Sequence, residues 1–137
     1  MDRCCDHASP CVFAHALRSR TAVCALSERQ ALAERDLLVC TRPVARTNCG
    51  TLAALLHERA RFALRLPPPG RPLVHAQALR LQCGGLAGVQ ASLGEAVPDV
   101  HRMIGQAQDR HGSLTELPWS QIVPVIVAWQ PRQRRPT

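Results

Sequence analysis

The cysteines of this chain are concentrated at one end of the sequence. Six of the seven lie within the first 49 residues, and only Cys83 stands apart. Cysteines that serve only as small apolar core residues would be expected to spread along the chain. The clustering therefore favours a shared ligand role, and this requires the first third of the chain to fold back on itself.

The termini and the thiols predict a cytoplasmic protein. No apolar run of the kind found in secretory signals follows Met1. The longest apolar run, residues 122–129, contains Pro124 and is far shorter than the roughly 20 residues of a membrane helix. Cytoplasmic thiols are kept reduced, and an odd number of cysteines leaves one unpaired in any disulfide framework. Structural disulfides are therefore not expected.

The composition fits one folded domain and says little about partners. The chain has 137 residues, of which 46% are hydrophobic, so a packed core is expected and a disordered or collagen-like chain is excluded. All 17 basic side chains are arginine, and the net charge is +7. The absence of lysine resembles a coding bias, so the charge alone is weak evidence of function.

Local patterns predict helices in the first 66 residues and one extended segment that runs back towards Cys24, the extended return. A Ser-Pro pair begins a helix over 9–20, and Ser27 caps a second short helix. Residues 36–40 then turn extended. Thr51 caps a third helix, whose apolar residues repeat at helical spacing.

A proline-rich segment at 67–72 ends that helix and begins a different pattern. Leu79, Leu81 and Cys83 alternate with polar residues as in a half-buried strand, which Gly84 and Gly85 stop. Further helices are expected over 86–93, 98–112 and 119–129.

The predicted fold class is α+β and mostly helical, with a cysteine-rich lobe joined by a proline-rich segment to a smaller helical lobe that contains one strand. The expected divisions of this single compact domain are a cysteine-rich lobe at 1–66, the joint at 67–72, the helical lobe at 73–131 and a basic tail at 132–137.

Three cysteines form the centre of the predicted site. Cys24 and Cys40 would lie about 24 Å apart if every residue between them were helical, and an extended return through 37–39 brings them together. Cys49 is expected just before the helix that Thr51 caps, where the helix dipole lowers the pKa of a thiol. The sequence therefore predicts Cys24, Cys40 and Cys49 as ligands of one metal centre.

The fourth ligand is either Cys11 or Cys83. Cys11 and His15 have the spacing of neighbours on one helical face. Cys83 precedes two glycines that allow a close backbone approach to sulfur, although an inward-facing strand cysteine is an equal alternative. Three more candidates lie at the terminus and would be spare ligands, a transfer site or residues without a role: Cys4, Cys5 and His7.

Exclusion, rather than a motif, favours an iron–sulfur cluster of the 4Fe-4S type. Structural zinc usually takes closely spaced cysteine pairs, and no Cys-x-x-Cys pair occurs. The spacings also match neither common ferredoxin pattern. Zinc remains the alternative metal. Arginines flank the proposed ligands and are candidates to offset the negative charge of a thiolate centre; they are Arg18, Arg20, Arg42 and Arg46.

The sequence therefore predicts an iron–sulfur protein that acts in electron transfer, redox sensing or metallocofactor assembly with a protein partner. The alternative is a zinc-stabilised, arginine-rich module that binds nucleic acid or an acidic partner protein. Aromatic residues for base stacking are scarce. The arginines that support this alternative surround Phe62 or lie in the tail: Arg59, Arg61, Arg65, Arg71, Arg132, Arg134 and Arg135.

An enzyme is the less favoured class. His57-Glu58 lacks the second histidine of a His-Glu-x-x-His zinc motif, and the glycines form neither a P-loop nor a dinucleotide fingerprint. A nucleophilic Cys49 paired with His57 or His75 is a third hypothesis. It predicts a cysteine with a depressed pKa.

Overall fold

The structure is a computed structural model that describes residues 10–32 and 35–131. Cys4, Cys5, His7 and the basic tail lie outside the described residues. The described part is a mostly helical α+β fold, as predicted, with five α-helices and a two-stranded sheet. In chain order the elements are α1 (Ala14–Arg18), β1 (Ser27–Leu32), β2 (Arg35–Cys40), α2 (Pro43–Leu64), α3 (His75–Leu93), α4 (Val100–His111), a 3₁₀ turn (Leu114–Glu116) and α5 (Trp119–Ala128).

The two strands form an antiparallel hairpin between α1 and α2. Ser27 pairs with Cys40, and Leu32 pairs with Arg35. The extended return at 36–40 is thus confirmed, but the short helix predicted after Ser27 is wrong, because that segment is the first strand of the hairpin. Sheet pairing here overrides a weak local preference for helix.

The segment before α1 is not helical: Pro10 and Cys11 pair with β2, and Val12 and Phe13 form a turn. Pro10 forms an isolated antiparallel bridge with Val39, and the Cys11 amide donates to the Leu38 carbonyl at 2.9 Å. The described part of the predicted helix over 9–20 is therefore shorter than expected and runs over Ala14–Arg18. Pairing with β2 uses the backbone groups that a longer helix would have needed.

Helix α2 begins nine residues earlier than predicted. Arg42 is its N-cap and Pro43 its first residue, a position where proline loses no helical hydrogen bond. Thr51 does not cap the helix; it lies inside, and its hydroxyl donates to the Thr47 carbonyl. The helix ends before the proline-rich segment, where Arg65 adopts a left-handed conformation with φ 54°.

Helix α3 replaces the predicted strand at 79–83. Gly84 and Gly85 do not stop an element; both are buried within the helix. They allow neighbouring helices to approach, because a Cβ on Gly84 would lie 2.9 Å from the Ile126 Cα and one on Gly85 would lie 2.6 Å from Leu56 Cδ1. Helix α3 is covered on several sides, so its apolar residues lose the clear helical period.

The remaining helices match the predictions. Asp99 caps α4 by accepting from the Arg102 amide, and Gly112 ends it. Helix α5 runs over Trp119–Ala128 and contains Pro124. One buried cluster includes residues from both sides of the proline-rich segment, such as Phe13 and Leu52 before it and Met103 and Ile122 after it.

Candidate metal centre

Four cysteines line one cavity at the junction of the hairpin, α2 and the start of α4. The four are Cys11, Cys24, Cys40 and Cys49. Each comes from a different segment of the chain, and none forms a disulfide. Cys49 is buried, whereas the other three are half-buried. The structure therefore brings together the three cysteines predicted as the centre of the site, with Cys11 as the fourth.

Backbone pairing with β2 positions Cys11. Its amide bond to Leu38 fixes the segment against the strand, and the Arg46 Nε donates to the Pro10 carbonyl at 2.9 Å from the opposite side. Cys11 thus precedes α1 rather than sharing a helical face with His15. The His15 ring instead packs edge-on against His75, with 5.0 Å between the ring centroids.

A turn and a parallel bridge position Cys24. The Val23 amide donates to the Pro98 carbonyl, and the Val100 amide donates back to Val23 at 2.8 Å. On the other side of Cys24, the Ala25 amide donates to the Asp99 carboxylate. The cysteine is therefore held at the N-terminus of α4.

The hairpin brings Cys40 to Cys24. The Ser27 hydroxyl donates to the Cys24 carbonyl at 2.9 Å, and Ser27 is the register partner of Cys40. The Cys40 Sγ donates to the Arg42 carbonyl at 3.2 Å. An extended return closes the Cys24–Cys40 loop as predicted, although the outgoing arm is a strand and not a helix.

Cys49 lies in the second turn of α2, with Ala45 one turn before it on the same side of the cavity. The prediction of a lowered pKa is wrong for this residue. Burial, and then the nearby Cys24, Cys11 and Cys40, raise the pKa of the Cys49 thiol from 9.0 to about 12. The helix begins six residues earlier, so its positive end acts on Cys49 less strongly than burial does.

Arg46 is the arginine at the cavity. Its charge lowers the pKa of Cys11 and of Cys49, although burial outweighs it and raises the pKa of both thiols. Arg42 contributes its carbonyl to Cys40 as the N-cap of α2. Arg18 and Arg20, also predicted to flank the ligands, are not among the residues that line the cavity.

Cys83 lies away from this cavity. It is fully buried in α3, where its sulfur is 3.3 Å from the Ser19 hydroxyl. Its surroundings are those of a core cysteine, which is the alternative that the sequence left open. Of the two candidates for the fourth position, Cys11 is the one that the fold places beside the other three.

His101 lines the cavity and was not predicted as a candidate. The cap residue Asp99 predicts that His101 lies in the first turn of α4, but no local signal shows that this turn borders the cysteines. His57 lines a different, larger cavity, and His75 contacts His15. Neither partner proposed for a nucleophilic Cys49 therefore borders the thiol cavity, and the raised pKa also contradicts that hypothesis.

The space between the four cysteines is small. The cavity measures about 10 Å³, which is about the room that one water molecule needs. Within the part of the chain that the structure describes, no group of three or more His, Cys, Asp or Glu side chains is placed to hold a metal ion as it stands. A centre on these sulfurs therefore requires side-chain rotation as it is loaded.

In the described residues, no helix has the length and apolar character to cross a membrane. No family model, no curated protein and no solved structure matches the chain.

Proposed function

We propose that this chain binds an iron–sulfur cluster through Cys11, Cys24, Cys40 and Cys49 and acts in electron transfer, redox sensing or metallocofactor assembly. The observation that supports the proposal is the convergence of four cysteines from four separate segments on one cavity. Thiolates are the usual ligands of such clusters, which accept them from dispersed positions in the sequence. When bound, the cluster would supply one-electron redox chemistry.

One cation at the cavity would partly offset the negative charge of a thiolate centre, against the opposing effect of burial. Four thiolates around a cluster core of about +2 carry a net charge of about −2, which a buried site must offset. Arg46 lines the cavity and is oriented by its bond to Pro10. Ala45, in the first turn of α2, also lines the cavity, and the amides of Val44 and Ala45 have no acceptor within the helix.

Zinc is the second candidate, because the cavity of about 10 Å³ is closer to the size of one ion than to that of a cluster. A Cys₄ set is equally suited to tetrahedral zinc. In that case the arginine-rich surface would serve nucleic acid or an acidic protein. Its binding would then weaken steeply with salt.

Metal analysis of anaerobically purified protein distinguishes these candidates. The iron–sulfur proposal predicts a coloured protein that contains iron and acid-labile sulfide in equal amounts. Single Cys→Ser substitutions at positions 11, 24, 40 and 49 should each remove most of the iron, because a cluster that lacks one thiolate ligand is weakly held.

Cys83→Ala is the matched control, since Cys83 is a buried cysteine outside the cavity. It should retain the iron, as should the double variant Cys4→Ser, Cys5→Ser. A colourless protein with one equivalent of zinc would contradict the iron–sulfur proposal and support the zinc site. Protein without bound metal, or iron retained in all four single variants, would contradict the proposed site.

A further inference from the structure

A second and much larger cavity lies on the other side of the segment that carries Cys11. It measures about 580 Å³ and opens between α2, the chain that follows α2, and α3. Phe13 borders it, whereas Val12 borders the thiol cavity. Cavities of roughly 300–1,000 Å³ are the size that small organic ligands occupy.

The inner wall of this cavity is apolar. Phe13, Leu56 and Leu81 form part of it, and each is almost completely shielded from solvent. The apolar lining that remains partly accessible includes Ala53, Leu73 and Ala78. A hydrocarbon ligand in the cavity would remove its own apolar surface and theirs from water, which is favourable. The inner wall therefore selects for a hydrocarbon or aromatic group.

The cavity also carries an excess of positive charge. Arg61 and Arg71 line it, and among the described residues neither forms an ion pair with a carboxylate. The carboxylate that lines the cavity, Glu58, lies 3.9 Å from the Arg59 Nε. The Arg61 Cζ lies 5.8 Å from the centroid of the Phe62 ring. Two arginines beside an apolar cavity are suited to a carboxylate, since arginine binds that group through two parallel hydrogen bonds.

We propose that this cavity binds a small amphipathic carboxylate, with its apolar body against Leu73, Ala78 and Leu81 and its carboxylate at Arg61 and Arg71. The combination of an apolar wall with a few convergent polar groups is the usual arrangement of a small-molecule site. The proposal does not depend on a metal at the four cysteines. Its test therefore uses binding alone.

Calorimetric titration with decanoate and with decanol, its uncharged counterpart of the same chain length, tests the assignment. Decanoate should bind at least about 10-fold more tightly than decanol, as expected for hydrogen bonds to a charged group. The double variant Arg61→Gln, Arg71→Gln should lose this difference while it still binds decanol. Arg80→Gln should leave both affinities unchanged, because Arg80 lies on α3 but does not line this cavity.

A cavity-filling variant keeps the test independent of the arginines. Ala78 lines the cavity, so Ala78→Leu should weaken the binding of both ligands while circular dichroism shows an unchanged fold. Equal affinities for decanoate and decanol in the unmodified protein would overturn the proposal, as would full decanoate affinity in the double variant. Sedimentation showing a dimer that dissociates in Ala78→Leu would also overturn it, because a second copy would then occupy the cavity.

Discussion

At the scale of single residues, the His15 imidazole reports on the packing of α1 against the start of α3. Burial lowers the pKa of His15 below 6.5, and the charges of His75 and Arg18 lower it further. The folded protein therefore favours neutral His15. Its contribution to stability is fully present above pH 6.5 and is lost as the pH falls through the lowered pKa of the folded state.

An NMR titration should therefore show that His15 binds its proton only below pH 6.5. His75→Gln should raise the pKa of His15 towards 6.5, because it removes one of the two cationic neighbours while burial remains. His111→Gln, at the far end of α4, is the control and should change nothing. If the pKa of His15 is the same in the His75→Gln variant as in the unmodified protein, the ring contact does not exist in solution.

The same scale shows which site properties a sequence can predict. The convergence of Cys24, Cys40 and Cys49 follows from a loop and an extended return, both of which have local signals. The pKa of Cys49 does not, since it depends on which side chains bury the thiol. Thr51 matched the pattern of a cap, but α2 begins at Pro43. The expected dipole effect was therefore assigned to the wrong turn.

At the scale of elements, the glycines of α3 determine how closely two helices pack. Gly84 faces the α5 backbone, and an added Cβ would lie 2.9 Å from the Ile126 Cα. Backbone cannot rotate away as a flexible side chain can, so Gly84→Ala should lower the free energy of unfolding by about 1–3 kcal/mol. Urea denaturation followed by circular dichroism measures this change.

Gly105→Ala is the matched control for that substitution. Gly105 also lies inside a helix, α4, but nothing lies within 4 Å of the position of its Cβ. This variant should gain roughly 0.5–1 kcal/mol through helix propensity. If the two variants shift the midpoint equally, the close contact between α3 and α5 is not part of the folded state.

These elements also separate what local sequence predicts from what packing decides. Helix α4 has a cap at Asp99, an amphipathic stripe and a terminal Gly112, and all three signals agree. In α3 the local signal is misleading. Two adjacent glycines predict a turn, because the sequence does not show which helices pack against them. These glycines allow neighbouring helices to pack closely against α3. That packing involves residues distant in sequence, so ten or twenty consecutive residues cannot predict it.

At the scale of the whole molecule, one short segment separates the two cavities. Cys11 and Val12 border the thiol cavity, and Phe13 borders the larger one. Gln82 of α3 ties this segment to the helical layer: its Oε1 accepts from the Ala16 amide, and its Nε2 donates to the Val12 carbonyl, both at 3.2 Å. Both contacts join residues more than 60 positions apart, so no local pattern could predict them.

Gln82→Met should therefore destabilise the Cys11 segment locally without creating a cavity in the core. Methionine preserves most of the side-chain volume but leaves the Ala16 amide and the Val12 carbonyl without their partner, which costs about 1–2 kcal/mol. Hydrogen exchange at the Ala16 amide should accelerate by roughly 5–30-fold.

Gln90→Met is the control, because Gln90 also lies on α3 but its amide donates to the nearby Glu95 carbonyl. Unchanged exchange at Ala16 in the Gln82 variant would show that α3 does not hold the segment. Acceleration confined to that variant would show that one glutamine on the second half of the chain stabilises the wall shared by both cavities.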